Sequence, residues 1–227
     1  MNSPAPIITI DGPSGSGKGT IAKRLADRLG WHFLDSGALY RVVGLLAEQR
    51  GITPDSPGML GDLARTMPLR FDGEGRVLLD GEDVSDAIRT EKAGNAASKV
   101  AAVPQVREAL VIWQRSYVKP PGLVADGRDM GSVIFPGAEV KIFLTASAEE
   151  RAARRYKQLK EKGLDVRLAS LTAEIRERDE RDRNRSVAPL VAPAAALEVE
   201  STNMSIDEVF DRVLDRVKDA LPNLTWN

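Results

Sequence analysis

A glycine-rich segment, residues 12–20, lies between a predicted strand and a predicted helix near the start of the chain. The β-branched run before it, residues 7–10, predicts a short buried strand. After the segment begins, apolar residues recur at helical spacing from Lys18 to Leu29, and Gly30 ends the pattern. A strand, a tight turn and a helix in this order predict an α/β fold with a parallel sheet flanked by helices.

The segment combines the features that a phosphate-binding loop needs. Glycines let successive backbone N–H groups turn inward on an anion, and the helix N-terminus adds partial positive charge. Lys18 is placed to reach the β- and γ-phosphates of ATP. We therefore predict a P-loop, and the alternative is a glycine-rich turn without a ligand. The predicted ATP phosphate-binding residues of this loop are Gly12, Pro13, Ser14, Gly15, Ser16, Gly17, Lys18, Gly19 and Thr20.

One position departs from the usual P-loop pattern, in which Ser or Thr directly follows the lysine. Here Gly19 follows Lys18, and Thr20 comes one residue later. The sequence therefore does not predict a loop hydroxyl bound directly to Mg²⁺.

Further elements of the same fold class are predicted along the chain. Closely spaced turn signals at 72–75 and 80–83 predict a small antiparallel lobe over residues 69–84. Ser36 is the predicted N-cap of the second helix. The other predicted helices and strands are helices 36–49, 91–116 with an interruption at Pro104, 147–162, 170–184 and 205–221, and strands 31–34, 123–126, 140–144 and 197–200.

Composition excludes several classes of function. The net charge is -1, so no broad positive field is available for nucleic acid or an anionic membrane. The absence of cysteine excludes disulfides, thiolate catalysis and Cys-ligated zinc. No stretch approaches about 18 apolar residues, and no basic, then apolar, leader is visible, so we expect no membrane span and no secretory signal. These features favour a cytoplasmic protein.

A polar segment follows the predicted strand 123–126. Ligands of open α/β sheets bind beyond the carboxyl ends of the strands. There, Arg128 could bind a phosphate through two hydrogen bonds, and Asp126 could orient water on Mg²⁺. The alternative is an Asp-Gly turn with an incidental ion pair.

The start of the second predicted helix carries Ser36, Tyr40 and Arg41 within about a turn and a half. A hydroxyl, a ring and a guanidinium could therefore reach one region. Packing in the core or on the surface explains the same residues equally well.

An arginine-rich run, residues 176–185, carries five arginines and four acids. A solvated helix face is the usual interpretation of such a run. However, Arg178, Asp182 and Arg185 share one helical stripe, as a phosphoryl-transfer site with a ribose contact requires. Arginines on the preceding helix, at 151, 154 and 155, could cover the nucleotide phosphates as a lid with a hinge at Gly163.

The chain resembles the bacterial cytidylate kinases over nearly its full length. The resemblance implies one P-loop kinase domain over residues 1–227, with an acceptor-binding insertion at about 60–105 and a lid at about 150–168. The segments that carry it are residues 10–15, 34–41, 88–90, 95–98, 106–110, 125–131 and 177–190.

The resemblance also implies a role for each matching residue. The activity implied is ATP-dependent phosphorylation of CMP, and of dCMP, by a monomer. The Mg²⁺ ion bound with ATP would be held largely by phosphates and water. Asp126 would contact the metal through water, and Arg154 would bind ATP phosphates. Cytosine offers one amino donor and two acceptors, which one carboxylate and several donors can satisfy. The implied contacts are Ser36, Ser98, Arg107 and Asp129 to the base, Arg41, Arg128 and Arg185 to the acceptor phosphate, Arg178 and Asp182 to the ribose, and Tyr40 to the pocket wall, with Lys18, Arg128 and Arg185 catalytic.

Three alternatives stay open at this point. A P-loop switch or ATPase would bind nucleotide and signal to a partner, but no Asn-Lys-x-Asp motif is present. An RNA-binding protein would use residues 176–185, but the interleaved acids reduce the uncompensated positive charge that phosphate binding needs. A kinase for UMP, AMP or a non-nucleotide acceptor is the closest alternative.

Overall fold

The structure is a computed structural model that describes residues 5–72 and 75–224. The strands are β1 Ile7–Asp11, β2 His32–Asp35, β3 Leu69–Phe71, β4 Val77–Leu79, β5 Glu82–Asp83, β6 Leu123–Gly127, β7 Val140–Thr145 and β8 Leu197–Glu200. The α-helices are α1 Lys18–Leu29, α2 Ser36–Gln49, α3 Pro57–Thr66, α4 Glu91–Val100, α5 Pro104–Arg115, α6 Ala148–Glu161, α7 Leu168–Asn184 and α8 Ile206–Ala220. Ala87–Arg89 forms a 3₁₀ turn and Met130–Ile134 a π turn.

The chain folds as two compact units. One contains the chain up to Leu34 and from Tyr117 onward, and the other is Asp35–Ser116. Both are mixed α/β in content, and the α/β fold class predicted from the sequence is confirmed.

The first unit is built on a five-stranded sheet with the order β2-β6-β1-β7-β8. The central strand β1 runs parallel to β6 on one side and to β7 on the other, and β7 runs parallel to β8. Ile8 and Ile10 of β1 are fully buried, and they pack in a cluster with α1 and α8. Asp11 and Gly127, the last residues of β1 and β6, therefore lie side by side where these two strands end.

The second unit joins a helical layer to a small antiparallel sheet, β3-β4-β5. Leu69 pairs with Leu79 and Phe71 with Val77. The predicted antiparallel lobe is confirmed, while Gly73 and Glu74 of its predicted turn lie outside the described residues.

One prediction about the second unit needs correction, and one helix of this unit was missed. The N-cap of α2 is Asp35, whose carboxylate accepts from the Ala38 N–H, and Ser36 is the first helical residue. A carboxylate is as good a cap as a hydroxyl, so pattern alone placed the boundary one residue late. Helix α3 was not predicted, because Pro57, Gly58 and Gly61 break its short apolar pattern.

Candidate active site

The P-loop connects the carboxyl end of the central strand β1 to α1. Gly17 is the N-cap of α1 and has a φ of 90°, a left-handed conformation that glycine adopts without steric cost. Lys18 is 9% exposed, and its ammonium donates to the Pro13 carbonyl at 3.1 Å. The lysine is therefore held against the loop that the sequence assigned to phosphate binding.

Side chains from α6 and α7 support this loop. Arg151 donates to the Ser14 carbonyl at 3.0 Å, and Arg178 donates to the Ser14 hydroxyl at 3.3 Å. Arg154 donates to the Ser16 carbonyl at 3.4 Å and to the Ser201 carbonyl at 2.7 Å. The loop is thus held through its own carbonyl and hydroxyl oxygens.

Arg151 was expected on the lid with Arg154 and Arg155, but the structure places it in the interior. It is 2% exposed and forms a two-fold ion pair with the buried Asp179 of α7. Its Nε also donates to the Ala146 carbonyl at 2.9 Å. Removing one partner of such a pair leaves an uncompensated buried charge, at a cost of about 3–5 kcal/mol. Arg151 therefore supports the P-loop from behind.

In the first unit, two of the residues predicted to bind the acceptor form an ion pair. Arg128 donates from Nε to Asp182 Oδ2 at 3.1 Å, and Asp182 is buried. Asp129 is 2% exposed. Arg185 donates to the Ala188 carbonyl at 2.6 Å. The two residues assigned separately to phosphate and ribose, Arg128 and Asp182, are thus in direct contact.

The second unit holds the remaining predicted residues. Arg107 is 4% exposed, and its guanidinium lies 5.8 Å from the ring centroid of Tyr40, in a cation–π arrangement. Arg41 donates to the carbonyls of Ile88 and Thr90, at 2.8 and 3.2 Å. Ser36 and Ser98 are both buried, at 3% and 4% exposure. Tyr40 and Arg107 are therefore brought together, and Arg41 is anchored to the segment before α4.

Comparison with known proteins decides the family. The family model described as cytidylate kinase matches residues 8–219. The chain belongs to the cytidylate kinase family.

Individual cytidylate kinases match along all or nearly all of their length. One from Aeromonas hydrophila is 57% identical, with 100% of each chain covered. One from Aeromonas salmonicida is 59% identical, with 97% of each covered. One from Nitrosococcus oceani is 56% identical, over 94% of this chain and 96% of that protein. The resemblance inferred from the sequence is confirmed, and the chain is a transferase of nucleotide metabolism.

The predicted P-loop of this chain departs from the usual pattern at Gly19, and the structure gives a steric reason. A Cβ added to Gly19 would lie 2.9 Å from Oδ2 of Asp126, at the end of β6. A Ser or Thr at this position would press on that carboxylate. Glycine therefore leaves room for the Asp126 oxygen beside the first turn of α1.

The carboxylate of Asp126 is a suitable contact for Mg²⁺ bound together with ATP. Mg²⁺ prefers oxygen ligands and is commonly held by one or two carboxylates, substrate phosphates and water. Asp126 supplies such an oxygen next to the P-loop. Within residues 5–72 and 75–224, no group of three or more acidic or histidine side chains could hold a metal by itself.

In the same part of the chain, no helix has the length and apolar character to cross a bilayer.

Asp11, the residue before the P-loop, was not recognised from the sequence. It is fully buried, and its two carboxylate oxygens accept from the backbone N–H groups of Met130 and Gly131, each at 2.8 Å. Burial raises the pKa of Asp11 from 3.8 to about 7, against the opposing effect of the two hydrogen bonds and with smaller contributions from Asp129 and Asp126. An Asp-Gly pair at a strand end is common, so only the tertiary structure reveals this contact.

The raised pKa of Asp11 predicts how stability depends on pH. The folded chain keeps a proton that the unfolded chain loses, so this stabilisation is complete below about pH 4 and is lost as the pH rises to about 7. The gap between 3.8 and about 7 corresponds to about 4 kcal/mol. Urea unfolding of the wild type and Asp11→Asn across pH 4.5–7.5 measures it, because the asparagine variant lacks this group. Equal pH slopes in the two proteins would show that Asp11 does not titrate in this range.

Proposed function

We propose that this protein transfers the γ-phosphoryl group of ATP to CMP, and also to dCMP, giving ADP and the cytidine or deoxycytidine diphosphate. The proposal rests above all on the P-loop with Lys18 held against it, in a chain of the cytidylate kinase family. Phosphoryl transfer of this kind needs positioning and charge neutralisation rather than a protein nucleophile.

On the donor side, the P-loop N–H groups and the N-terminus of α1 bind the β- and γ-phosphates of ATP. Lys18 neutralises negative charge that develops during transfer, and Arg154 adds positive charge beside Ser16. Asp126 would hold Mg²⁺ through water when the ion is bound with ATP, and the ion would supply further charge neutralisation.

On the acceptor side, we propose that Arg41, Arg128 and Arg185 bind the phosphate of CMP. Arg178 and Asp182 bind the ribose, Tyr40 lines the pocket, and Ser36, Ser98, Arg107 and Asp129 bind cytosine. The low exposure of Asp129 supports its role, since a buried carboxylate discriminates strongly between an amino donor and a carbonyl. We also propose that the protein works as a monomer in the cytoplasm, without nucleic acid or membrane.

The reaction type is tested by measuring ADP release from ATP with and without CMP. We expect CMP to accelerate ADP release strongly and CDP to form in equal amount. Rapid ADP release without an acceptor would instead favour a P-loop ATPase. Stereochemical analysis with a chiral γ-phosphate should show inversion at phosphorus, because transfer is direct and in line; retention would contradict this mechanism.

Loss of Arg128 or Arg185 should affect CMP rather than ATP. We expect Arg128→Ala and Arg185→Ala to lower kcat by about 10-fold or more and to raise the KM for CMP, because a phosphate clamp also aligns the acceptor. Arg183→Ala is the matched control, since Arg183 is an exposed arginine in the last turn of α7, two residues before Arg185. Steady-state kinetics with each substrate varied in turn measures the effect. A change confined to the KM for ATP would assign these arginines to the donor side.

A further inference from the structure

Asp11 links the donor loop to the residues proposed for the acceptor. Its backbone ends β1 directly before Gly12 of the P-loop. Its carboxylate accepts from Met130 and Gly131, the two residues that follow Asp129. Asp11 also pairs with Gly127 across the two parallel strands, so backbone and side chain hold the same stretch of chain.

The segment held by Asp11, residues 128–131, is also closely packed at Met130 and Gly131. A Cβ on Gly131 would lie 2.7 Å from Oγ1 of Thr9, so this part of the segment is closely packed on β1. Met130 is fully buried. The carboxylate thus fixes the backbone from which Arg128 and Asp129 project.

We infer that Asp11 is a positioning residue that aligns Arg128 and Asp129 with the P-loop, and that it thereby sets both acceptor alignment and the preference for cytosine. The inference rests on the proposed function of Asp129. Asp11 itself is fully buried and has both oxygens on backbone amides, so its effect passes through the 128–131 segment rather than through substrate.

Asp11→Asn is the sharpest variant, because it keeps the shape of the side chain. The amide offers one acceptor oxygen, and its NH₂ group would face the second backbone N–H as a donor against a donor. A measurement at pH 8 keeps the wild-type carboxylate ionised, since its pKa is about 7. Ile10→Val is the matched control, because it alters a buried neighbour on the same strand without touching the carboxylate contacts.

We expect Asp11→Asn to lower kcat/KM for CMP by about 10- to 100-fold, the usual effect of losing a hydrogen bond to a charged group. The preference for CMP over UMP should narrow, and the Kd for ATP should stay within about 3-fold, since the P-loop keeps its own supports. Amide exchange at Met130 and Gly131 should accelerate in Asp11→Asn and not in Ile10→Val.

Each of the following results would overturn the inference. An unchanged CMP/UMP ratio in Asp11→Asn would reduce Asp11 to a structural role, and an equal loss of ATP affinity would place its effect on the donor loop. If the variant does not fold, wild-type amide exchange decides: fast exchange at Met130 and Gly131 would contradict the contact. A wild type without any preference for CMP over UMP would defeat both this inference and the proposed function. If the wild type prefers CMP, and Asp129→Ala narrows that preference but Asp11→Asn leaves it unchanged, only the inference fails.

Discussion

Lys18→Ala is expected to lower kcat by about 10²-fold or more, the typical effect of removing one electrostatic contact to developing charge. The lysine is the P-loop cation proposed to lie nearest the transferred phosphoryl group. Its ammonium is held close to the loop through the Pro13 carbonyl, so little reorganisation is needed when phosphates bind. An effect on kcat, rather than on the KM for ATP alone, follows because the interaction strengthens as charge develops.

The control for this variant is Lys23→Ala. Lys23 lies on the same helix, is exposed, and pairs with Asp27 at 3.1 Å. Removing it changes the net charge by the same amount but should leave kcat within a few-fold of the wild type. Lys18→Met preserves most of the aliphatic chain and separates loss of charge from loss of packing. Lys18 variants that retained activity within a few-fold would contradict the P-loop assignment.

Asp129→Ala is expected to change which nucleotide the enzyme prefers. A buried carboxylate accepts a hydrogen bond from the cytosine amino group, whereas uracil presents a carbonyl at that position and repels it. Leaving a buried charged acceptor unpaired costs about 1–3 kcal/mol, so this contact should contribute about 10- to 100-fold of the discrimination against UMP. The KM for CMP should therefore rise strongly in the variant, and the gap between CMP and UMP should narrow.

The KM for ATP should barely change in Asp129→Ala, because the P-loop keeps its residues. Asp207→Ala is a suitable control for the loss of one negative charge, since Asp207 is exposed and pairs only with surface Arg24 among the contacts described. If Asp129 merely pairs with a neighbouring arginine to hold the pocket together, both pyrimidine nucleotides would lose equally. An unchanged CMP/UMP ratio would therefore defeat its role in base recognition.

Local signals in the sequence predicted the elements with strong periodicity or clear capping. Helix α1 begins and ends at Lys18 and Leu29 as predicted, because glycines mark both boundaries. The sheet strands were predicted within a residue or two, since each is a short apolar run between turn signals. The lobe at β3–β5 was predicted from turn spacing alone.

Features that depend on tertiary contacts could not be predicted. Arg151 lies at helical spacing from Arg154 and Arg155, so the pattern groups the three arginines together. Only its ion pair with the buried Asp179 explains why Arg151 lies in the interior. Asp11 looks like part of an ordinary strand end, because its partners lie more than a hundred residues away along the chain. Most of the roles proposed for substrate contacts came from family resemblance. The residues themselves suggested a phosphate contact for Arg128, whereas for Ser36, Tyr40 and Arg41 the residue pattern left packing as an equal explanation.

Phosphorylation of CMP is the activity to which all the proposed site residues contribute. The most direct measurement is kcat/KM of the purified wild-type protein, with saturating ATP and Mg²⁺, for CMP, dCMP, UMP and AMP in one ADP-release assay. We predict efficient turnover of CMP and dCMP, with UMP and AMP lower by about 10-fold or more, as expected of a site that satisfies the polar groups of cytosine. Turnover of UMP or AMP at or above the rate for CMP, or no turnover of CMP at all, would show that CMP is not the preferred acceptor.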